Sequence, residues 1–170
     1  MKIAIYTISK NEEKHVERWY ESTKEADYHI IADTGSTDRT VEIARSLGIT
    51  VYQIYVSPFR FDDARNASLA LLPADVDYCI ALDMDEELTP GWREALEKVD
   101  PTVDRPSYRR IEAFNADGTP NLEFNGFKIH RRKGIIHVNV SACMKNLLTA
   151  RLPPLLPALL FHLRHPVYHP

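Results

Sequence analysis

Cysteine is scarce in this chain: among its 170 residues only Cys79 and Cys143 occur. A disulfide framework is not expected, because a chain of this length buries enough apolar surface to fold as one domain without staples. Cys79 lies in the apolar run from Val76 to Leu82, where a thiol behaves as a small buried hydrophobe, and a reducing compartment is the simpler reading. Also missing is any surplus of positive charge. The net charge is -3, with both signs interspersed, which leaves no electrostatic footprint for nucleic acid and points to small molecules or glycans as partners. The Leu-rich end is too short and too broken by proline to cross a bilayer, which takes about 20 apolar residues. At the start, Met1-Lys2-Ile3-Ala4-Ile5-Tyr6 enters a strand pattern directly, without the apolar region and cleavage site of a signal peptide. The expected location is therefore cytoplasmic. No Gly-x-Gly-x-x-Gly follows the first strand, which argues against a dinucleotide-dependent oxidoreductase. A nucleotidyltransferase is disfavoured too, since no glycine-rich basic loop stands there, and no internal repeat is evident.

What is present is an alternation. Lys2 to Ile8 is β-branched and apolar, and Asn11-Glu12-Glu13 then opens an amphipathic stretch with Val16, Trp19 and Tyr20 on one face. Tyr28 to Ala32 reads as a second strand. After Ser36-Thr37-Asp38, residue types that cap helices, a helix is expected through Val41, Ile43, Ala44 and Leu47, ended by Gly48. Thr50 to Val56 reads as a strand, Asp62 to Leu72 as a helix and Val76 to Leu82 as a fourth strand. Strands alternating with helices predict parallel pairing through crossovers. Beyond Asp83 the rhythm changes to a short helix after Thr89-Pro90-Gly91 and then a hairpin, Ser107 to Phe114 and Leu122 to Arg131, around Asp117-Gly118. That hairpin is expected as an antiparallel addition to the parallel sheet.

Ligands of an open parallel sheet bind beyond the carboxyl ends of its strands, so the polar clusters at those ends are the candidate site. They are Thr7 to Glu13, Asp33 to Asp38 and Asp83-Met84-Asp85-Glu86-Glu87. In an extended segment Asp83 and Asp85 share a side, and two carboxylates suit Mg or Mn while leaving positions open for phosphate oxygens. Glu86 and Glu87 read as a solvated acidic turn before the helix at Trp92. Asp33 either accepts from a base or ribose donor or holds its own Gly-Ser turn. Ser36, Thr37 and Asp38 read as caps. Arg65 offers a planar fork to phosphate, or else a salt bridge to Asp62 or Asp63.

Four motifs in order, Ile8-Ser9-Lys10-Asn11-Glu12-Glu13, Asp33-Thr34-Gly35-Ser36-Thr37-Asp38-Arg39-Thr40, Phe61-Asp62-Asp63-Ala64-Arg65-Asn66 and Leu82-Asp83-Met84-Asp85-Glu86-Glu87-Leu88, resemble those of family 2 glycosyltransferases. The likeness runs from Met1 to about Lys133 and is strongest to short bacterial members that build lipopolysaccharide cores. It implies the α/β GT-A fold, a Rossmann-like, mostly parallel sheet flanked by helices. It also implies a metal-dependent, inverting transfer from a nucleotide-diphosphate sugar, UDP-sugar favoured, to a glycan or lipid-linked acceptor. By position, Thr7 or Ile8 would flank the base, Asp33 would bind it, Asp83 would hold the ribose and Asp85 a divalent metal, Mn or Mg.

Past Gly134 the chain departs from that pattern. An aromatic residue and a His-Glu pair are expected there and are not found, and no acidic residue follows Glu123. Glu112, Asp117 and Glu123 are thus the only later carboxylates for a general base, and none is assigned. The expectation is a nucleotide-sugar domain over 1–138 and an atypical Leu/Pro/His-rich tail over 139–170, in which a reading-frame change or truncation replaced the family's C-terminal part. The tail's apolar residues leave open packing on the domain, dimerisation or peripheral contact with a membrane. A noncatalytic nucleotide- or glycan-binding remnant is the alternative function.

Overall fold

The computed structural model describes residues 1–132. Strand β1 (Ile3–Ser9) is followed by helix α1 (Val16–Thr23), β2 (Tyr28–Asp33), α2 (Thr40–Ser46), β3 (Thr50–Gln53), α3 (Phe61–Ala70), β4 (Tyr78–Ala81) and α4 (Trp92–Glu97). Three further strands close the described chain: β5 (Tyr108–Phe114), β6 (Pro120–Gly126) and β7 (Ile129–Arg131). One five-stranded sheet has the order β3-β2-β1-β4-β7, with β3, β2, β1 and β4 parallel and β7 antiparallel to β4. Strands β5 and β6 form a separate two-stranded sheet.

Alternation along β1 divides the core, because successive side chains of a strand leave opposite faces. Ile3 and Ile5 face the layer that holds Val16 and Trp19 of α1, Ala44 of α2, and Trp92 and Leu96 of α4. Ala4 and Tyr6 face Leu69 of α3 and Leu72 just beyond it, together with Cys79 and Ala81. Both faces of the sheet are therefore covered, as parallel sheets require. Cys79 is fully buried, and burial pushes its thiol up to about 12, in keeping with the inert role read from its setting.

The end of α2 shows how local sequence sets a boundary. Gly48 takes φ +78, its N–H donates to the Arg45 carbonyl at 3.0 Å, and the Ile49 N–H donates to the Ala44 carbonyl at 3.1 Å. These are the two bonds of a Schellman cap, in which glycine carries no Cβ penalty.

The hairpin corrects the sequence reading. Ser107 to Phe114 and Leu122 to Arg131 were expected as its two strands, but the second run breaks at Phe127 and Lys128. Its first part pairs with β5, and only its last three residues join the main sheet, beside β4. Periodicity alone does not show this break, because the pattern runs unbroken through residues that belong to two sheets. The boundary at 138, the tail of 139–170 and Cys143 lie outside the described residues. Among the described residues, no helix is long and apolar enough to cross a membrane.

Candidate functional site

Chain order reverses at β1, with β2 on one side of it and β4 on the other. Loops leaving such a pair diverge and open a crevice beyond the strand ends. A cleft of about 940 Å3 lies there. Ile8 and Glu12 line it from the end of β1, and Ala81, Asp83, Met84 and Asp85 from the end of β4. Phe59 to Asp62 and Arg65 come from the start of α3, while Arg105, Phe127 and Lys128 come from the segments that flank the hairpin.

The acidic segment is a turn and not an extended stretch, since the Glu86 N–H donates to the Asp83 carbonyl at 3.0 Å. Asp83 and Asp85 line the same cleft all the same. Asp83 accepts from Lys128 Nζ at 2.6 Å and from the Arg65 guanidinium. Burial opposes its charge, but Lys128 and Arg65 outweigh burial and hold its carboxyl below the ordinary range. Arg65 therefore pairs with Asp83, and not with Asp62 or Asp63. The turn is tethered from α1 as well: Trp19 Nε1 donates to the Leu82 carbonyl at 3.3 Å, and Arg18 donates to the Asp85 carbonyl at 3.4 Å.

Glu86 and Glu87 depart from the solvated acidic turn expected of them. Glu86 is 1% exposed and is held by Lys128 and Arg110, while Glu87 pairs with Arg18 at 2.8 Å. Neither caps α4, whose N-cap position is Gly91 with no side-chain cap bond.

Thr7 and Asp33 do not line the cleft. The Thr7 hydroxyl is buried and donates to the Ile8 carbonyl at 3.1 Å. The Asp33 carboxylate is fully buried and accepts from the Gly35 N–H at 3.1 Å, the Ser36 N–H at 3.1 Å and the Ser36 hydroxyl. This is the turn-holding arrangement. Ser36 and Thr37, expected as caps, instead knit two loops together: the Asn11 N–H donates to Ser36 Oγ at 2.9 Å, and the Thr37 N–H donates to Asn11 Oδ1 at 2.8 Å. Asp38 does accept the Thr40 N–H at 3.0 Å, a capping bond made one residue ahead of the N-cap position, Arg39.

Sequence reasoning missed Glu12, Glu86 and Lys128. Glu12 sits in the quoted motif, and its carboxyl is raised first by burial and then by Asp85, Asp38 and Asp83, against His15. The adjacency of Glu86 to Asp85 was its only signal. Lys128 carried none, because its place depends on where the hairpin returns.

Does the donor set fit a cation? Mg or Mn takes oxygen ligands and needs only one or two protein carboxylates when phosphate oxygens and water complete the shell. Among the described residues no three metal-binding side chains converge, so a closed protein cage is not formed there. Asp85, with Asp83 beside it, fits a cation shared with a phosphate-bearing ligand.

The family model for Glycosyl transferase family 2 matches residues 4–143. An uncharacterized glycosyltransferase of Rickettsia bellii is 35% identical over 99 residues, and one of Rickettsia prowazekii is 33% identical over 99 residues. Each match spans 58% of this chain but only 32% of the relative's length. Among solved structures, residues 1–349 of S. aureus TarS superpose with a TM-score of 0.53 at 19% identity, over 72% of this chain and 38% of that one. Glucosyl-3-phosphoglycerate synthase from Mycobacterium tuberculosis, in complex with Mn2+, UDP and glucosyl-3-phosphoglycerate, gives 0.51 at 22% identity, over 68% and 44%. The α/β, mostly parallel sheet matches that of these GT-A neighbours.

Proposed function

The chain belongs to glycosyltransferase family 2, and from that membership we propose that it transfers a sugar from a UDP-sugar, with inversion and with a divalent cation, to a glycan or lipid-linked acceptor. The observation that carries the proposal is the cleft at the β1/β4 reversal, where Asp83 and Asp85 stand with Arg65 and Lys128. Acids for a cation and cationic side chains for a diphosphate in one cleft are what a nucleotide-diphosphate leaving group requires. The M. tuberculosis neighbour is described with Mn2+ and UDP, and TarS with UDP-GlcNAc, which supports this donor class.

In this reading Asp85 holds Mn or Mg, which when bound neutralises charge on the departing diphosphate. Arg65 and Lys128 line the cleft as diphosphate donors and meanwhile keep Asp83 ionised, so that it accepts from the ribose hydroxyls. Of Thr7 and Ile8, it is Ile8, which lines the cleft, that flanks the base through its backbone. A direct bond from Asp33 to the base requires its turn to open, so we assign Asp33 the shaping of the loop beside the base. The lipopolysaccharide-core setting and the cytoplasmic location are part of this proposal.

One observation favours the noncatalytic alternative. Of the three later carboxylates, Glu112 pairs with Arg110, Glu123 with Arg109, and Asp117 with Thr119 in the hairpin turn, and none lines the cleft.

Calorimetric titration with UDP, with and without Mn2+, tests the donor site, with GDP for comparison and Asp85→Ala as control. The expected result is Mn2+-dependent UDP binding that the variant loses. Folded protein that binds neither nucleotide would overturn the proposal; metal-dependent binding without turnover across sugar donors would favour the alternative.

A further inference from the structure

Two acidic side chains are buried among the described residues, Asp33 and Glu86. The bonds of Asp33 lie within its own turn. Those of Glu86 join three elements. Oε2 accepts the Asp83 N–H at 3.0 Å and the Lys128 ammonium, and Oε1 faces the Arg110 guanidinium of β5 at 3.0 Å. Arg110 is held in turn by Glu112 at 2.6 Å and lies over the Phe124 ring at 5.3 Å.

Burying a carboxylate costs much of what its partners return, and an apolar residue of similar size often serves stability as well. A buried acid at this junction is therefore better explained by what it places than by what it stabilises. The Asp83 amide belongs to the turn that carries Asp85. Lys128 forms part of the cleft wall, and Arg110 anchors the hairpin. We infer that Glu86 is a positioning residue: it sets the Asp83–Asp85 turn against Lys128 and the hairpin, and so fixes where the Asp85 carboxylate meets a cation and its phosphate oxygens. This inference rests on the donor-binding reading above.

Two variants separate placement from stability. Glu86→Gln keeps an acceptor for the Asp83 N–H but drops the charge that holds Lys128 and Arg110. Glu86→Asp keeps the charge but is one methylene too short to span the three partners. UDP affinity is measured with and without Mn2+ at a temperature where circular dichroism shows each variant folded. Supporting groups of this kind change metal affinity by about 10- to 100-fold, so UDP binding in Mn2+ is expected to weaken at least about tenfold, while metal-free binding changes little. A merely structural role would lower the melting temperature and leave the folded protein's affinity within about twofold of wild type, and that result would overturn the inference alone. Wild type that binds no UDP would overturn the donor reading and this inference with it. Should neither Glu86 variant fold, Arg110→Gln reports from the far end of the junction. It is expected to weaken Mn2+-dependent UDP binding by about threefold, a smaller effect because Oε2 keeps its partners; unchanged affinity would overturn the inference.

Discussion

Asp83 and Glu12 line one cleft and respond to it in opposite ways. Asp83 has Lys128 and Arg65 on its two oxygens, and these outweigh its burial. Glu12 is half-buried beside other acids, and burial first and then those acids raise its carboxyl against His15. The depressed carboxyl of Asp83 has a definite consequence for stability. An acid whose folded pKa lies below its unfolded value contributes stability that is whole above the unfolded value, about 3.9 for aspartate, and is lost as pH falls through the folded one. Asp83→Asn is accordingly expected to melt below wild type at pH 7, with the gap closing as pH falls below about 4. Thermal melts of both proteins from pH 3 to 7 check this, and a gap that stays constant would contradict it. For Glu12 the direction is reversed: its ionised form is disfavoured in the fold, and a cation near Asp85 would relieve that.

At the scale of elements, the last described strands are secured by contacts that depend on small residues. Tyr6 of β1 reaches across β4 to β7, where its hydroxyl lies 2.9 Å from His130 Nε2. Cys79 and Ala81 of β4 stand on that same face, and their small side chains leave room for the ring to pass. Since His130 Nδ1 donates to the Arg131 carbonyl at 2.7 Å, Nε2 is left to accept from the Tyr6 hydroxyl. In the hairpin, Gly126 pairs with Tyr108. A Cβ at Gly126 would stand 2.3 Å from the Tyr108 ring, and that ring is only 5% exposed, with little room to swing away. Gly126→Ala is therefore expected to destabilise the protein by about 1–3 kcal/mol, the range for overpacking a filled core. Urea unfolding measures the loss, and an unchanged midpoint would show that Tyr108 moves freely. Because Lys128 follows two residues later, the same variant also tests whether the hairpin places that ammonium.

For the molecule as a whole, part of the pH response comes from two histidines, the buried His130 on one face of the sheet and the half-buried His29 on the other. Burial lowers the pKa of His130, against the bond to the Arg131 carbonyl and with help from Arg105 and Arg132. Burial lowers His29 as well, against its bond to the Thr23 carbonyl. A histidine depressed in the fold binds its proton more readily once unfolded, so stability is lost as pH falls below the unfolded value of about 6.5. The melting temperature is expected to drop between pH 7.5 and 5.5, and to drop less in His130→Asn; equal melting at both pH values would contradict this. Much of the architecture was legible in sequence. The strand and helix alternation, the Gly48 stop, the buried Cys79 and the acids at the end of β4 all follow from local patterns, because side-chain period and backbone freedom are properties of neighbouring residues. Parallel strands carry their carboxyl ends to one rim, which made legible the meeting of the cluster after β1 with the acids after β4, although the Asp33 to Asp38 cluster expected beside them does not line the cleft. Tertiary structure decided the rest. Only the folded chain shows that the Leu122 to Arg131 run divides between two sheets, that Lys128 thereby returns to Asp83, that Glu86 is buried at their junction and that the Asp33 carboxylate is spent on its own turn. These depend on which distant groups meet, and a one-dimensional pattern of charge and hydropathy does not carry that information.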